Sequence, residues 1–223
     1  MSTLDDPRVS TVLDRLHRAA RGDWRFFARH PGMVARILLG RDEGALGADL
    51  ARELKDVYIP LSPAKGRFLY LVARAIGARR IVEFGTSFGV STIYAAAAAR
   101  DTGGAVIGSE LEPTKRERAL ANLAEAGLAD VVEVRLGDAR ETLRDLPAPV
   151  DLVLLDGWKD LYLPVLRLLE PRLRAGSVVL ADNIKTFRRA LAPYVEYVQS
   201  GRNGYRSVTL PLRDGFEYSV RLG

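Results

Sequence analysis

Asp151-Leu-Val-Leu-Leu-Asp156 and Ser177-Val-Val-Leu-Ala-Asp182-Asn183 decide how this chain is read. Each is an unbroken apolar run ending in acid, with the length and character of a strand buried on both faces. The segment between them has helical spacing, so the pair reads as a βαβ unit with parallel neighbouring strands. Parallel neighbours bring both acidic tips to one rim, and in an open α/β sheet ligands bind outside that rim. Two carboxylates and a carboxamide meeting there are hard oxygen ligands suited to a divalent cation. Lys159, three residues beyond Asp156, stands beside them as a candidate base.

The same rhythm extends outward. Strand-like runs at 80 to 84, 105 to 109, 131 to 136, 151 to 155 and 177 to 181 alternate with helical runs at about 89 to 100, 113 to 126, 139 to 145 and 160 to 174. That alternation predicts an α/β fold with a doubly wound, mostly parallel, Rossmann-like sheet. Ser62-Pro63 reads as a cap with proline in the first turn, opening a helix to about Gly77. After a helix near 186 to 199, the β-rich runs 205 to 212 and 216 to 222, joined by Arg213-Asp214-Gly215, predict an antiparallel hairpin that closes the sheet. Residues 8 to 55 are patterned as helix, interrupted at His30-Pro31-Gly32 and around Gly40 to Gly47. This stretch is too short to bury a core alone, so residues 1–58 are expected to be a helical preface to the same domain as residues 59–223.

Composition narrows the function classes. Hydrophobic residues make up 48% and charged residues 27% of the 223, a balance suited to a folded globular chain. No apolar run approaches the roughly 18 residues of a membrane span. The N-terminal stretch has no basic and apolar signal pattern, and the expected location is cytoplasmic. Absence of cysteine excludes disulfides, thiolate metal sites and a Cys nucleophile. A net charge of +5 and a pI near 9.6 raise the question of nucleic acid. Lysine occurs only at 55, 65, 115, 159 and 185, however, leaving arginine as the other 28 of 33 basic residues. Arg18, Arg21, Arg25 and Arg29 would line one solvated helix face. No stacking platform accompanies them, which disfavours a nucleic-acid partner.

The first strand leads into Glu83-Phe-Gly85-Thr-Ser-Phe-Gly89, where the glycines let the backbone turn sharply and approach a ligand. Its G-x-x-x-G spacing departs from the dinucleotide fingerprint. Glu110, about 20 residues on at the end of the second strand, is placed to accept hydrogen bonds from ribose hydroxyls. This stretch resembles motif I of class I S-adenosylmethionine methyltransferases. Leu155-Asp156-Gly157-Trp158-Lys159-Asp160, followed by Ala181-Asp182-Asn183, is similar to the metal-dependent catechol and caffeoyl-CoA O-methyltransferases, including bacterial members. The resemblance runs from about Ile59 to the C-terminus. It implies that Asp156, Asp182 and Asn183 bind Mg²⁺ or another divalent cation, that Lys159 is the general base, and that Glu217 holds a substrate hydroxyl.

The resemblance also implies the cofactor shell. Leu61 and Ser91 would hold the methionine carboxylate, with Gly85 near the methionine part and Glu83 in the motif itself. Glu110 would take the ribose, Asp138 and Ala139 would lie near the adenine, and Trp158 would lie against it. Asp156 would border both the cofactor and the metal. Two departures bear on the acceptor: Gly157 stands where the animal enzymes carry histidine, and Ile184 to Arg189 lacks their proline-containing substrate loop. The implied reaction is methyl transfer to a hydroxyl of a small catechol-like acceptor, whose two adjacent oxygens would chelate the metal. Arg188 or Arg189 would favour an acceptor with an acidic substituent. The alternatives are a methyltransferase of this fold acting on RNA or protein, and a cofactor-binding protein without turnover. A homodimer is also expected from Trp24, Phe26, Phe27, Met33, Ile37 and Leu38, a large apolar set for a short preface that would cover the pocket mouth and a second subunit.

Overall fold

A computed structural model describes residues 2–39 and 50–223, with the side chains of residues 36–39 outside the description. Among the described residues, one sheet has the strand order β3-β2-β1-β4-β5-β7-β6. The strands are β1 Arg80–Phe84, β2 Ala105–Glu110, β3 Val132–Leu136, β4 Val150–Leu155, β5 Leu173–Asp182, β6 Tyr205–Leu210 and β7 Phe216–Arg221. The first five pair in parallel, whereas β7 runs antiparallel to both β5 and β6. The chain reverses its direction of travel across the sheet between β1 and β4, which opens a crevice at their carboxyl ends. This is the predicted doubly wound Rossmann-like sheet, closed by the predicted hairpin.

Helices cover both faces. They are α1 Pro7–Ala19, α2 Asp23–Arg29, α3 Pro31–Leu39, α4 Pro63–Ala75, α5 Val90–Thr102, α6 Pro113–Glu125, α7 Ala139–Thr142, α8 Tyr162–Leu169 and α9 Arg188–Gln199. Alternation along the strands divides the core. Leu152, Leu154, Val178 and Leu180 pack towards α1, α4 and α5, while Val153, Leu155, Val179 and Ala181 pack towards α8 and α9. Every residue of β4 is buried, as expected of a central parallel strand. Ser62 caps α4 by accepting from the Lys65 N–H, with Pro63 in the first turn as the sequence predicts.

The preface is tied to this core. Val9, Val12, Leu13 and Leu16 form the buried stripe of α1 and join the residues of β1 and α5. Such burial contributes about 1.5 to 3 kcal/mol per side chain before ordering entropy is set against it. Further on, Met33, Leu50, Leu54 and Val57 form a smaller cluster with Phe26, Phe27 and Trp158. The preface therefore spends Phe26, Phe27 and Met33 on its own chain and leaves Trp24 exposed. The side chains of Ile37 and Leu38, invoked for a dimer, and the break expected around Gly40 to Gly47 lie outside what is described.

Two boundaries differ from expectation for identifiable reasons. The helix predicted to reach residue 174 ends at Leu169 and passes into a 3-10 turn, Glu170–Arg172, because Pro171 has no N–H to continue the ladder. Strand β5 then begins at Leu173, across a register irregularity between Val150 and Leu152 that leaves residues 174–176 exposed. In the hairpin, β6 ends at Leu210 and β7 starts at Phe216, so the connection is 211–215 rather than three residues; Pro211 ends the pairing.

Candidate active site

The register of β4 against β5 pairs Leu155 with Ala181, so the next residues, Asp156 and Asp182, come level at the rim. Asp156 is fixed by its N–H donating to the Phe84 carbonyl at 2.8 Å. Its carboxylate lies 3.5 Å from the Lys159 Nζ, both side chains being nearly buried. The Lys159 ammonium donates to the Tyr162 hydroxyl at 2.8 Å, which donates in turn to the Asp182 carbonyl at 3.3 Å. Lys159 also lies 5.0 Å from the Tyr162 ring centroid and 5.5 Å from that of Phe187. Burial pushes the Asp156 carboxyl well above the usual carboxylate range, and the negative charge of Asp182 adds to this. Burial also pushes Asp182 up, against the pull of Lys65.

A cavity of about 610 Å³ extends from this rim across the ends of β1 and β2. Asp156, Lys159, Asn183 and Phe187 line one end; Glu110, Gly137, Asp138 and Ala139 line the other, with Gly85 and Trp158 on the walls. Glu110 accepts from the Ser87 N–H at 2.7 Å and the Glu112 N–H at 2.9 Å, which fixes the carboxylate while it still borders the cavity. Asp138 caps α7 and is held by Arg140, whose hydrogen bonds bring its carboxyl below the ordinary value. Gly85 has φ of +98°, and a side chain there would meet the Asp156–Gly157 peptide at 2.6 to 2.7 Å. Phe27, Val34, Ala51, Leu54 and Tyr58 add a wall from the preface, continued by Ile59. That wall is held by Asp23, which accepts from the Tyr58 and Ile59 N–H groups, and by Tyr58 stacked on Phe88.

Other sequence-predicted residues lie behind the cavity surface. Leu61 and Ser91 are buried, and Glu83 is wholly enclosed. Glu83 accepts from Thr86 at 3.1 Å and Thr92 at 2.5 Å through one oxygen, while its Oε1 is left without a partner. Burial raises its carboxyl, with hydroxyls nearby pulling it part of the way back.

Glu217 is not brought to this site. It pairs with Ala181 across β5 and β7, so its side chain faces α9, whereas Asp182 pairs with Phe216 on the opposite face. Its carboxylate is taken by Gln199 at 2.7 Å, Ser207 at 2.5 Å and Thr209, and it does not line the cavity. Arg188 and Arg189 are exposed and do not line it either.

Two residues that sequence reasoning missed stand at the rim. Lys65, 1% exposed, forms ion pairs with Asp182 and Asp214. The signal was its place on α4, four and eight residues before the buried Leu69 and Ala73, in an otherwise apolar stripe. Asp214 was read as a turn residue only. Among the described residues no three His, Cys, Asp or Glu side chains gather as a metal centre; the oxygen set at the rim is two carboxylates and one amide.

The chain is similar to known proteins. The profile of a methyltransferase domain family matches residues 82–184, from β1 to just past Asn183. A catechol O-methyltransferase of Mycobacterium tuberculosis is 40% identical over 141 residues, 63% of either chain. That of Niastella koreensis is 33% identical over 154 residues, 66% of this chain and 69% of that one. The chain belongs to the catechol-type S-adenosylmethionine O-methyltransferase family. A crystal structure within reach of this O-methyltransferase family is TomG of Streptomyces achromogenes, in complex with S-adenosylmethionine and involved in tomaymycin synthesis. It superposes with a TM-score of 0.69 at 29% identity, covering 82% of this chain and 92% of that one. The chain spans just under two thirds of the length of the Mycobacterium tuberculosis relative. No described helix is long and apolar enough to cross a membrane.

Proposed function

We propose that this O-methyltransferase family member transfers the methyl group of S-adenosylmethionine to one hydroxyl of a small catechol-like acceptor, with a divalent cation as helper and Lys159 as base. The observation that carries the reading is the single cavity with Glu110 and Asp138 at one end and Asp156, Lys159 and Asn183 at the other.

The residues present fit both groups. For the cofactor, Glu110 offers ribose hydroxyls a fixed carboxylate, Asp138 and Ala139 border the adenine end, and Gly85 lines the cavity wall. The unpartnered, buried Glu83 Oε1 is an acceptor held for a donor at the methionine end. For the cation, Asp156, Asp182 and Asn183 supply oxygens, and two buried carboxylates that raise one another's cost of ionisation favour positive charge between them. Magnesium or a similar ion would lower the pKa of two adjacent acceptor oxygens and hold them in place.

Methyl transfer is an in-line displacement at carbon, so the protein's task is orientation and proton removal. Lys159, held between Asp156 and the Tyr162 hydroxyl, would act in its neutral amine form, taking the proton of the attacking hydroxyl to become the ammonium. Phe187, Trp158 and the preface wall enclose a flat apolar acceptor and exclude water.

The test is turnover of matched substrates followed by mass spectrometry. Catechol with S-adenosylmethionine and Mg²⁺ is expected to be methylated, chelator to abolish the reaction, and the matching monophenol to have a far lower kcat/KM because it forfeits chelation. Equal rates for the phenol, or full activity in chelator, refute the metal-assisted reading. Methylation of tRNA in place of every diol refutes the acceptor class.

A further inference from the structure

The 211–215 connection is latched to the rim by three contacts that converge on one residue. Asp214 pairs through Oδ1 with the buried Lys65 ammonium, accepts from the Asn183 side-chain N–H at 2.5 Å through Oδ2, and through its carbonyl accepts from the Lys185 N–H at 2.7 Å. Lys65 also reaches the Gly215 carbonyl at 3.3 Å and pairs with Asp182, whose Oδ1 accepts from the Asn183 backbone N–H at 2.5 Å.

An amide side chain has two faces of opposite character: the nitrogen donates and the oxygen accepts. Both carboxylate oxygens of Asp214 are occupied by donors, so that carboxylate can face only the nitrogen of Asn183. The amide oxygen is then left for the cavity, which Asn183 lines. Asn183 has φ of +64°, a conformation asparagine tolerates, so its backbone is set independently of the flip. Without Asp214 nothing in these contacts distinguishes the amide's two orientations, and in one of them a nitrogen donor faces the cation.

We infer that Asp214 is a positioning residue that fixes the Asn183 amide with its oxygen towards the cavity, and so makes Asn183 a competent ligand for a divalent cation. This rests on the proposed metal role of Asp156, Asp182 and Asn183. Outer partners of this kind typically alter metal affinity by 10- to 100-fold.

The inference makes a prediction that a merely structural latch does not. In Asp214→Asn the new amide keeps its oxygen for Lys65 and turns a nitrogen to the nitrogen of Asn183, two donors in conflict. Exchanging the pair, Asp214→Asn with Asn183→Asp, restores complementarity: the new amide donates to the new carboxylate, which keeps an oxygen for the cation. Mn²⁺ affinity of the purified full chain is measured by electron paramagnetic resonance titration, with S-adenosylmethionine affinity and thermal unfolding measured alongside.

Asp214→Asn is expected to bind Mn²⁺ roughly 10- to 100-fold more weakly with cofactor affinity unchanged within about twofold, and the exchanged pair to recover to within about threefold of wild type. Wild-type affinity in folded Asp214→Asn overturns the inference alone. So does an exchanged pair that folds but binds at least tenfold more weakly, and that variant decides the matter if Asp214→Asn does not fold. Loss of Mn²⁺ and cofactor affinity together in Asp214→Asn overturns it in favour of a structural latch. No Mn²⁺ binding by the wild type overturns the metal reading and the inference together.

Discussion

Replacing Gly85 by alanine tests the closest approach in the site. Gly85 closes β1 at φ of +98°, and an added Cβ would lie 2.6 Å from the Gly157 nitrogen and 2.7 Å from the carbon and oxygen of Asp156. Those are backbone atoms, which cannot swing aside as a side chain would. Left-handed backbone costs an L-residue about 1 to 2 kcal/mol, and overpacking a filled space costs about 1 to 3 kcal/mol. Gly85→Ala is therefore expected to lose about 2 to 5 kcal/mol, or roughly 4 to 20 °C in Tm for a chain of this size. Gly103→Ala is the control: its φ is +69°, but nothing lies within 4 Å of the added carbon, so only the backbone cost applies. The difference between the variants in urea unfolding isolates the contact with the Asp156–Gly157 peptide. Because that peptide carries Asp156, turnover should fall further in Gly85→Ala than stability alone explains. Equal losses for the two variants, within about 0.5 kcal/mol, refute the reasoning.

Three further outcomes follow from the site. Glu110→Ala should weaken S-adenosylmethionine binding about tenfold or more in calorimetry, since charge-assisted hydrogen bonds to the ribose are lost; unchanged affinity in a folded variant removes the assignment. Lys159→Ala should lower kcat by about 10²- to 10⁴-fold while cofactor affinity is kept, and near-wild-type kcat would remove the base. Burial raises the Asp156 carboxyl in the folded state, so its contribution to stability is present below the ordinary value near 3.8 and is lost as pH rises through the raised value. Asp156→Asn should accordingly raise Tm at pH 7 without metal, with the gain shrinking as pH falls towards 4; a gain independent of pH contradicts the assignment.

What the sequence made legible followed from local regularities. The apolar runs ending in Asp156 and Asp182 needed no information beyond strand length and burial, and parallel pairing then forces the two acids together. Ser62-Pro63 and Glu110 were legible because caps and strand ends leave local marks, whereas Asp138 came only from the family resemblance. The misplacement of Glu217 has a different origin. Its face depends on the register of β7 against β5, and a one-residue difference in pairing turns a strand residue from the cavity side to the α9 side. Lys65 and Asp214 are 149 residues apart and meet only because the 211–215 connection folds back over the first turn of α4. No local pattern encodes that meeting, although a lysine within an apolar helical stripe marks one of its partners.

Lys65 also bears on why the site is built from two carboxylates rather than one. Asp182 is paired from behind by a buried ammonium, while Asp156 faces Lys159 across 3.5 Å at the cavity wall. Counting Asp156, Asp182 and Asp214 against Lys65 and Lys159 in their charged forms leaves one negative charge at the rim. With Lys159 charged because it has taken the acceptor's proton, a divalent cation there would turn that into one positive charge, offset by the single negative charge left on the acceptor oxygen. Without Lys65 the remaining rim charges, three carboxylates and the Lys159 ammonium, would fully neutralise the same ion, which would stabilise an anionic acceptor less. Replacing Lys65 by methionine should thus tighten Mn²⁺ binding while lowering kcat, opposite signs that a loss of packing would not produce.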